Sequence, residues 1–189
     1  MKILNLYACL GGNRFKWNEV KEDIEVTAIE LDPELAKLYQ ERFPNDKVIV
    51  ADAHQYLLEH YKEFDFIWSS PPCPTHSKAR FARRNTTEAK YPDLKLYEEI
   101  PAHKRGRHLY WTNFNLPNNL NDRSFKIGTE KKELDELCKF HDYNFRQYKG
   151  LQSVQKIARN LVDYEAGKTI FETALNIQKA NNSNQLTLI

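Results

Sequence analysis

Phe64-Asp65-Phe66-Ile67-Trp68-Ser69-Ser70-Pro71-Pro72-Cys73-Pro74-Thr75-His76-Ser77 is the stretch on which the reading of this chain turns. Its apolar run, Phe64 to Trp68, reads as a buried strand, and two prolines then stiffen the exit. Proline fixes its own φ and biases the residue before it toward extended geometry, so Cys73 is expected on a braced turn at the strand's C-terminal end. In an open α/β sheet that edge is where ligands and chemistry sit. Lys78, Arg80, Arg83 and Arg84 follow closely, and positive neighbours lower a thiol's pKa toward the reactive thiolate. Cys73 therefore reads as a nucleophile.

Working back toward the N-terminus, three more apolar runs precede this one. Lys2 to Ala8 ends in Cys9-Leu10-Gly11-Gly12-Asn13, a strand and a glycine turn, and a polar helical stretch follows. Glu25 to Leu31 and Lys47 to Ala51 read as the second and third strands. Between them Pro33 opens a helix with Leu35, Leu38, Tyr39 and Phe43 at helical spacing, and Pro44-Asn45 closes it. A further helix from about His54 to Tyr61 leads into the fourth strand. Strands alternating with helices at this spacing predict an α/β fold, a doubly wound, Rossmann-like parallel sheet.

The first three strand ends carry a cofactor signature. Gly11 and Gly12 permit close backbone approach to a ligand. Glu30 follows Gly11 by 19 residues, about the distance at which an acidic residue takes ribose hydroxyls. Asp52 ends the third strand, where its carboxylate can accept from an adenine amino group. The spacing is not G-x-G-x-x-G, and no Walker lysine is present for phosphates. An adenosine ligand without a pyrophosphate, such as S-adenosylmethionine, fits best. Cys73 and His76 offer two metal ligands with no second pair at suitable spacing, so no metal is expected.

Length and charge set the frame. A chain of 189 residues, 41% of them hydrophobic, is enough for one domain with a core, or one domain plus a small lobe. No run is long enough to span a bilayer, the N-terminus does not read as a secretory signal, and three cysteines lack framework spacing. A reduced, cytoplasmic setting without membrane attachment is the expectation. The net charge of +2 hides an asymmetry: residues 1–60 hold 7 basic and 11 acidic side chains, residues 101–160 hold 12 and 6. That distribution suits a small-molecule site followed by a polyanion-binding part.

Taken together, these residues resemble the DNA (cytosine-5) methyltransferases. Asn5-Leu6-Tyr7-Ala8-Cys9-Leu10-Gly11-Gly12 is similar to the family's first motif, usually Asp-Leu-Phe-Ala-Gly-x-Gly-Gly. Glu30, Asp52 and Pro72-Cys73 fall where that family keeps its ribose ligand, adenine ligand and catalytic pair. His103-Lys104-Arg105-Gly106-Arg107-His108-Leu109-Tyr110 resembles its Gln-x-Arg-x-Arg motif, and Arg159-Asn160-Leu161-Val162 its late Gly-Asn-x-Val motif, which returns beside the first strand. The helix expected after it, Ala166 to Ile177, would pack on the sheet.

The resemblance implies an enzyme that flips a cytosine out of double-stranded DNA and methylates carbon-5 from S-adenosylmethionine. By it, Cys73 is the nucleophile, Arg107 stabilises charge on the base's carbonyl oxygen, and Arg105 holds the base or a phosphate. Tyr7, Ala8, Cys9, Leu10, Gly11, Gly12, Asn13, Glu30, Leu31, Asp52, Ala53, Pro72, Asn160 and Val162 would surround the cofactor. Lys78, Arg80, Arg83, Arg84, Arg123 and Lys126 would meet DNA. The chain is read as a monomer, and a restriction endonuclease is a candidate partner.

Residues 1–111 would form the catalytic and cofactor-binding domain, 112–150 a small target-recognition region rich in Asn, Lys and aromatics, 151–180 a return segment and 181–189 a tail. One departure stands out. The family's Glu-Asn-Val motif between nucleophile and arginine motif has no counterpart here, and the chain passes from Ile100 straight to Pro101-Ala102-His103. Either the sequence omits a segment at 100/101 or the protein is shortened there. Two other readings remain: an amino-group methyltransferase, which Cys73 in place of an aromatic after Ser70-Pro71-Pro72 argues against, and a non-catalytic DNA-binding relic. RNA is a weaker alternative substrate.

Overall fold

The computed structural model describes residues 1–70, 102–105, 108–112, 114–121, 123 and 130–176. Four strands, β1 (Lys2–Leu6), β2 (Glu25–Glu30), β3 (Lys47–Val50) and β4 (Phe66–Ser69), form one sheet in the order β3-β2-β1-β4. Every pairing is parallel, with Asn5 opposite Ala28 and Trp68, and Glu30 opposite Val50. This is the α/β architecture expected from the sequence, with strand limits within two residues of the apolar runs.

Parallel register puts all four strand C-termini on one edge, and parallel sheets need cover on both faces. On one face lie Ile3, Val26 and Ala28. Trp17 of α1 (Trp17–Val20) packs there, as do Tyr39 of α2 (Pro33–Arg42) and Ile170 and Phe171 of α6 (Tyr164–Ala174). On the other face Leu4, Leu6 and Ile29 meet Ala53 and Leu57 of α3 (Ala53–His60). Trp17 is the centre of the first layer: it is fully buried, with Phe66, Trp68 and Phe171 rings 6.0, 6.0 and 5.3 Å away. α2 starts where Asp32 and Pro33 dictate, because the Asp32 carboxylate accepts from the Glu34 and Leu35 amides and proline suits the first turn.

The described residues of the later chain pack against the sheet and its helices. β5 (Ala102–Arg105) and β6 (His108–Trp111) make an antiparallel hairpin outside the main sheet, and Tyr110 meets Trp68 edge-on at 6.5 Å. Leu116 and Leu120, inside the asparagine-rich stretch, are buried against Trp17 and Phe171. α4 (Glu130–His141) and the 3-10 turn Phe145–Gln147 supply Leu137, Phe145 and Tyr148 to a second core with Leu10, Leu35, Leu38 and, from α5 (Val154–Asn160), Ile157. The described apolar side chains of 112–150 are thus built into the same cores as the sheet and α1, α2 and α6.

His141 sits in that second core at 3% exposure, with Phe140 and Phe145 rings against it and the Ala158 carbonyl 3.0 Å from Nε2. Burial, partly offset by the charge of Asp163, pushes its pKa from 6.5 down to about 4. Between those values the unfolded chain binds a proton that the folded chain refuses, so stability falls as pH drops through that window. His141→Phe should remove this term. Urea titrations at pH 7 and 4.5 are expected to show wild type losing about 2–3 kcal/mol more than the variant. Equal losses would refute the buried neutral histidine.

Candidate active site

The turn leaving β1 is tightly wound. Tyr7, Cys9 and Gly11 all have positive φ, at 54°, 48° and 65°, a region that only glycine occupies without cost. Cys9 thus stands at a position with a conformational reason to be glycine. The strain is held by its surroundings. The Ala8 amide donates to Ile29 O at 3.0 Å and the Gly11 amide to Ala8 O at 2.9 Å. A Cβ on Gly11 would run into Tyr39 and Phe43, and one on Gly12 into the Val162 carbonyl and, 2.6 Å away, Leu161. The segment after α5 therefore closes directly on the glycine turn. Asn160 ends α5 and is exposed.

Behind the turn runs a buried polar network that the sequence reading did not pick out. Asn13 Nδ2 donates to Asn5 Oδ1 (2.9 Å), Asn5 Nδ2 to the Tyr39 hydroxyl (3.4 Å), and that hydroxyl to Asp46 (2.9 Å). Arg14 closes it with a two-pronged ion pair to Asp46, Nε at 2.9 Å and Nη2 at 3.0 Å. Asn5, Asn13, Arg14 and Asp46 are all at most 6% exposed. Asn13 turns its side-chain amide inward, where it braces the turn. The available signal was Asn5 itself, a polar break in the apolar run Ile3-Leu4-Asn5-Leu6.

Glu30 closes β2 beside this turn. Its Oε2 accepts from the Cys9 amide at 2.8 Å and its Oε1 from the Asp32 amide at 2.9 Å. Burial raises the Glu30 carboxyl above its ordinary range, and the amides of Asp32, Cys9 and Leu31 only partly compensate. Each carboxylate oxygen has a second lone pair for a hydroxyl donor. Leu31, next in line, is 67% exposed. Asp52 ends the third strand segment and caps α3 through Oδ1, which accepts from the Gln55 amide at 2.8 Å; Ala53 behind it is buried. An acid with spare lone pairs and an exposed apolar side chain beside it fit an adenosine ligand.

Burial, with the charge of Glu30 adding to it, pushes the Cys9 thiol up to about 12. It is a neutral thiol, half-buried beside a carboxylate rather than flanked by cations as Cys73 is in sequence. Asp32 is opposite in character. Burial works against its charge, but hydrogen bonds from the Tyr148 hydroxyl, Gln152 and the first turn of α2 hold its carboxyl below the usual range.

β4 delivers Ser70 to the same edge, its amide donating to Leu6 O at 3.2 Å and its hydroxyl 2.5 Å from Trp68 Nε1. Pro72, Cys73, Lys78, Arg80, Arg83, Arg84, Arg107 and Lys126 lie outside the described residues. Arg105 ends β5, opposite His108 across the hairpin. Arg123, a third exposed, is engaged within the fold. It pairs with Asp163 through Nε (3.1 Å) and Nη2 (2.8 Å), donates to the Phe140 carbonyl and lies over the Phe140 and Tyr164 rings at 4.3 and 4.0 Å. Among the described residues no cluster of His, Cys, Asp and Glu could hold a metal ion, and no helix is long and apolar enough to cross a membrane.

Comparison with known proteins gives one family: the model for C-5 cytosine-specific DNA methylases matches residues 1–100. No curated protein matches the chain. Among solved structures, a triple mutant of DNMT2 from Spodoptera frugiperda is similar at 26% identity over 48% of this chain, with a TM-score of 0.37. The match spans 26% of that protein's chain.

Proposed function

The chain belongs to the C-5 cytosine-specific DNA methylase family, and from that premise we propose that it methylates carbon-5 of a cytosine flipped out of double-stranded DNA, with Cys73 as nucleophile. The observation that carries this reading is the parallel register of the sheet. It gathers the glycine turn, Glu30, Asp52 and Ser70, three residues short of Cys73, onto one edge. The order of those features is the order an enzyme needs: a cofactor site across β1 to β3, and a nucleophile entering from β4.

In this mechanism the Cys73 thiolate adds to carbon-6 of the ring, forming a carbon–sulfur bond and leaving carbon-5 electron-rich. S-adenosylmethionine, when bound, supplies the electrophilic methyl group. Glu30 accepts the ribose hydroxyls, Leu31 covers the adenine and Asp52 accepts from its amino group, so the reacting groups are held at short range. Arg107 stabilises negative charge on the base's carbonyl oxygen, and Arg105 holds the base or a neighbouring phosphate. A water then removes the carbon-5 proton and Cys73 leaves, restoring the thiolate. The base must leave the stack to be reached, at a cost of a few kcal/mol. Lys78, Arg80, Arg83, Arg84 and Lys126 offset that cost by gripping phosphates. Arg123 is engaged by the Asp163 carboxylate within the fold.

The test is trapping. Duplex DNA with 5-fluorocytosine at its target cytosines carries a fluorine that cannot leave as a proton, so turnover stops at the covalent stage. A random-sequence duplex pool with S-adenosylmethionine should yield a protein–DNA adduct that survives denaturing electrophoresis. Cofactor and DNA binding without an adduct would overturn the reading. The missing Glu-Asn-Val motif would then favour a relic that binds without catalysing.

A further inference from the structure

Asp32 is wired in two directions. Its amide holds Glu30 Oε1 at 2.9 Å, while its Oδ2 accepts from the Tyr148 hydroxyl at 2.7 Å and Gln152 Nε2 at 3.0 Å. The Tyr148 hydroxyl also accepts from the Gln152 amide at 3.0 Å, so one oxygen joins the 148–152 turn to the residue that orients Glu30. The Tyr148 ring is buried against Leu10, Leu35 and Leu38, which leaves its hydroxyl little freedom. Gly150 is needed for this arrangement, because a Cβ there would overlap the Tyr148 ring and hydroxyl. Lys149, Leu151 and Gln152 after Tyr148 are exposed, Leu151 fully so.

We propose that Tyr148 is a positioning residue for cofactor binding: through Asp32 its hydroxyl fixes the Leu31–Asp32 backbone that aims Glu30, and thereby couples the 148–152 turn to cofactor occupancy. The proposal rests on Glu30 being the ribose acid. The chemistry is plain. A carboxylate that gains ribose hydroxyls pulls on its existing amide donors, the Asp32 amide among them, and a held Asp32 is one that needs no reordering when the ligand arrives. Coupling of this kind is reciprocal, so the cofactor must steady the turn as the turn steadies the cofactor site.

Tyr148→Phe keeps the buried ring and removes the link. S-adenosylmethionine affinity, measured by calorimetry on the full chain, should fall about 5- to 10-fold. In wild type the Gln152 amide should exchange more slowly with deuterium when S-adenosylmethionine is present; in the variant that ligand-dependent slowing should vanish. A purely structural hydroxyl would change exchange equally with and without ligand. Gln152→Ala, an exposed site that cannot unfold the protein, should show the same pattern with a loss of about 2- to 3-fold. Glu30→Gln separates the two ideas. If it binds S-adenosylmethionine as wild type does, the role given to Glu30 is wrong. If Glu30→Gln weakens binding while Tyr148→Phe and Gln152→Ala change neither affinity nor ligand-dependent exchange, the coupling is wrong and the role of Glu30 stands.

Discussion

Cys73→Ala is expected to lower methyl transfer to DNA by about 10⁴-fold or more while leaving S-adenosylmethionine affinity within about twofold of wild type. Carbon-5 of cytosine is a poor nucleophile until carbon-6 carries a covalent substituent, so removing the thiol removes the route rather than slowing a step. The proposed cofactor residues Glu30, Leu31 and Asp52 belong to β2 and the ends of β2 and β3, far along the chain from the substitution. No other cysteine can take over. The Cys9 thiol, pushed up to about 12, is protonated at neutral pH, and Cys138 belongs to α4, packed in the second core. Cys138→Ser should therefore transfer methyl groups normally. Incorporation of radiolabelled methyl into duplex DNA measures both, and Cys73→Ala keeping a tenth of wild-type transfer would remove it from the mechanism.

Asp46→Ala should be the most destabilising single substitution in the first half of the chain, at about 3–5 kcal/mol. The Asp46 carboxylate is 6% exposed and satisfies three groups at once: Arg14 Nε, Arg14 Nη2 and the Tyr39 hydroxyl. Truncation strands a guanidinium that is itself 5% exposed, and an uncompensated buried charge costs far more than the pair contributes net. Against a typical domain stability of about 5–15 kcal/mol, the loss takes a large share. Asp46→Asn keeps an acceptor for Tyr39 and should fall between the two. Replacing both partners, Arg14→Met with Asp46→Leu, should recover most of the loss because no charge is left buried. Urea midpoints for the three variants give the ranking, and a single variant more stable than the double would refute the account.

The sheet was legible because its signals are local. Val48-Ile49-Val50, the Asp32-Pro33 start of α2 and the Gly11-Gly12 turn each declare themselves within a few residues, and parallel order follows from the alternation of elements. Glu30 and Asp52 drew notice for the same reason, as acids at the ends of apolar runs. The Asp46 network was not, since its partners lie 32 and 7 positions away and Pro44-Asn45-Asp46 reads as an ordinary turn. Arg123 looked like a phosphate ligand because a basic residue among asparagines carries no mark of the carboxylate 40 positions on. Leu116 and Leu120 were hidden in the same way: polar neighbours outnumber them, yet two buried leucines suffice to draw the segment into the core.

The contacts between the glycine turn and α6 also bear on how the protein comes off the ribosome. Gly12 leans on Val162, Gly167 sits against Asn13, and Trp17 Nε1 donates to Gly167 O at 3.4 Å across 150 positions. At about 5–20 residues per second, roughly 8–30 s of translation separate the first half of that interface from the second. For that interval the Trp17 indole and the apolar face of β1 have no cover from α6. A nascent chain in that condition is a substrate for chaperones that hold exposed hydrophobic segments, and overexpression that outpaces them should drive it into inclusion bodies.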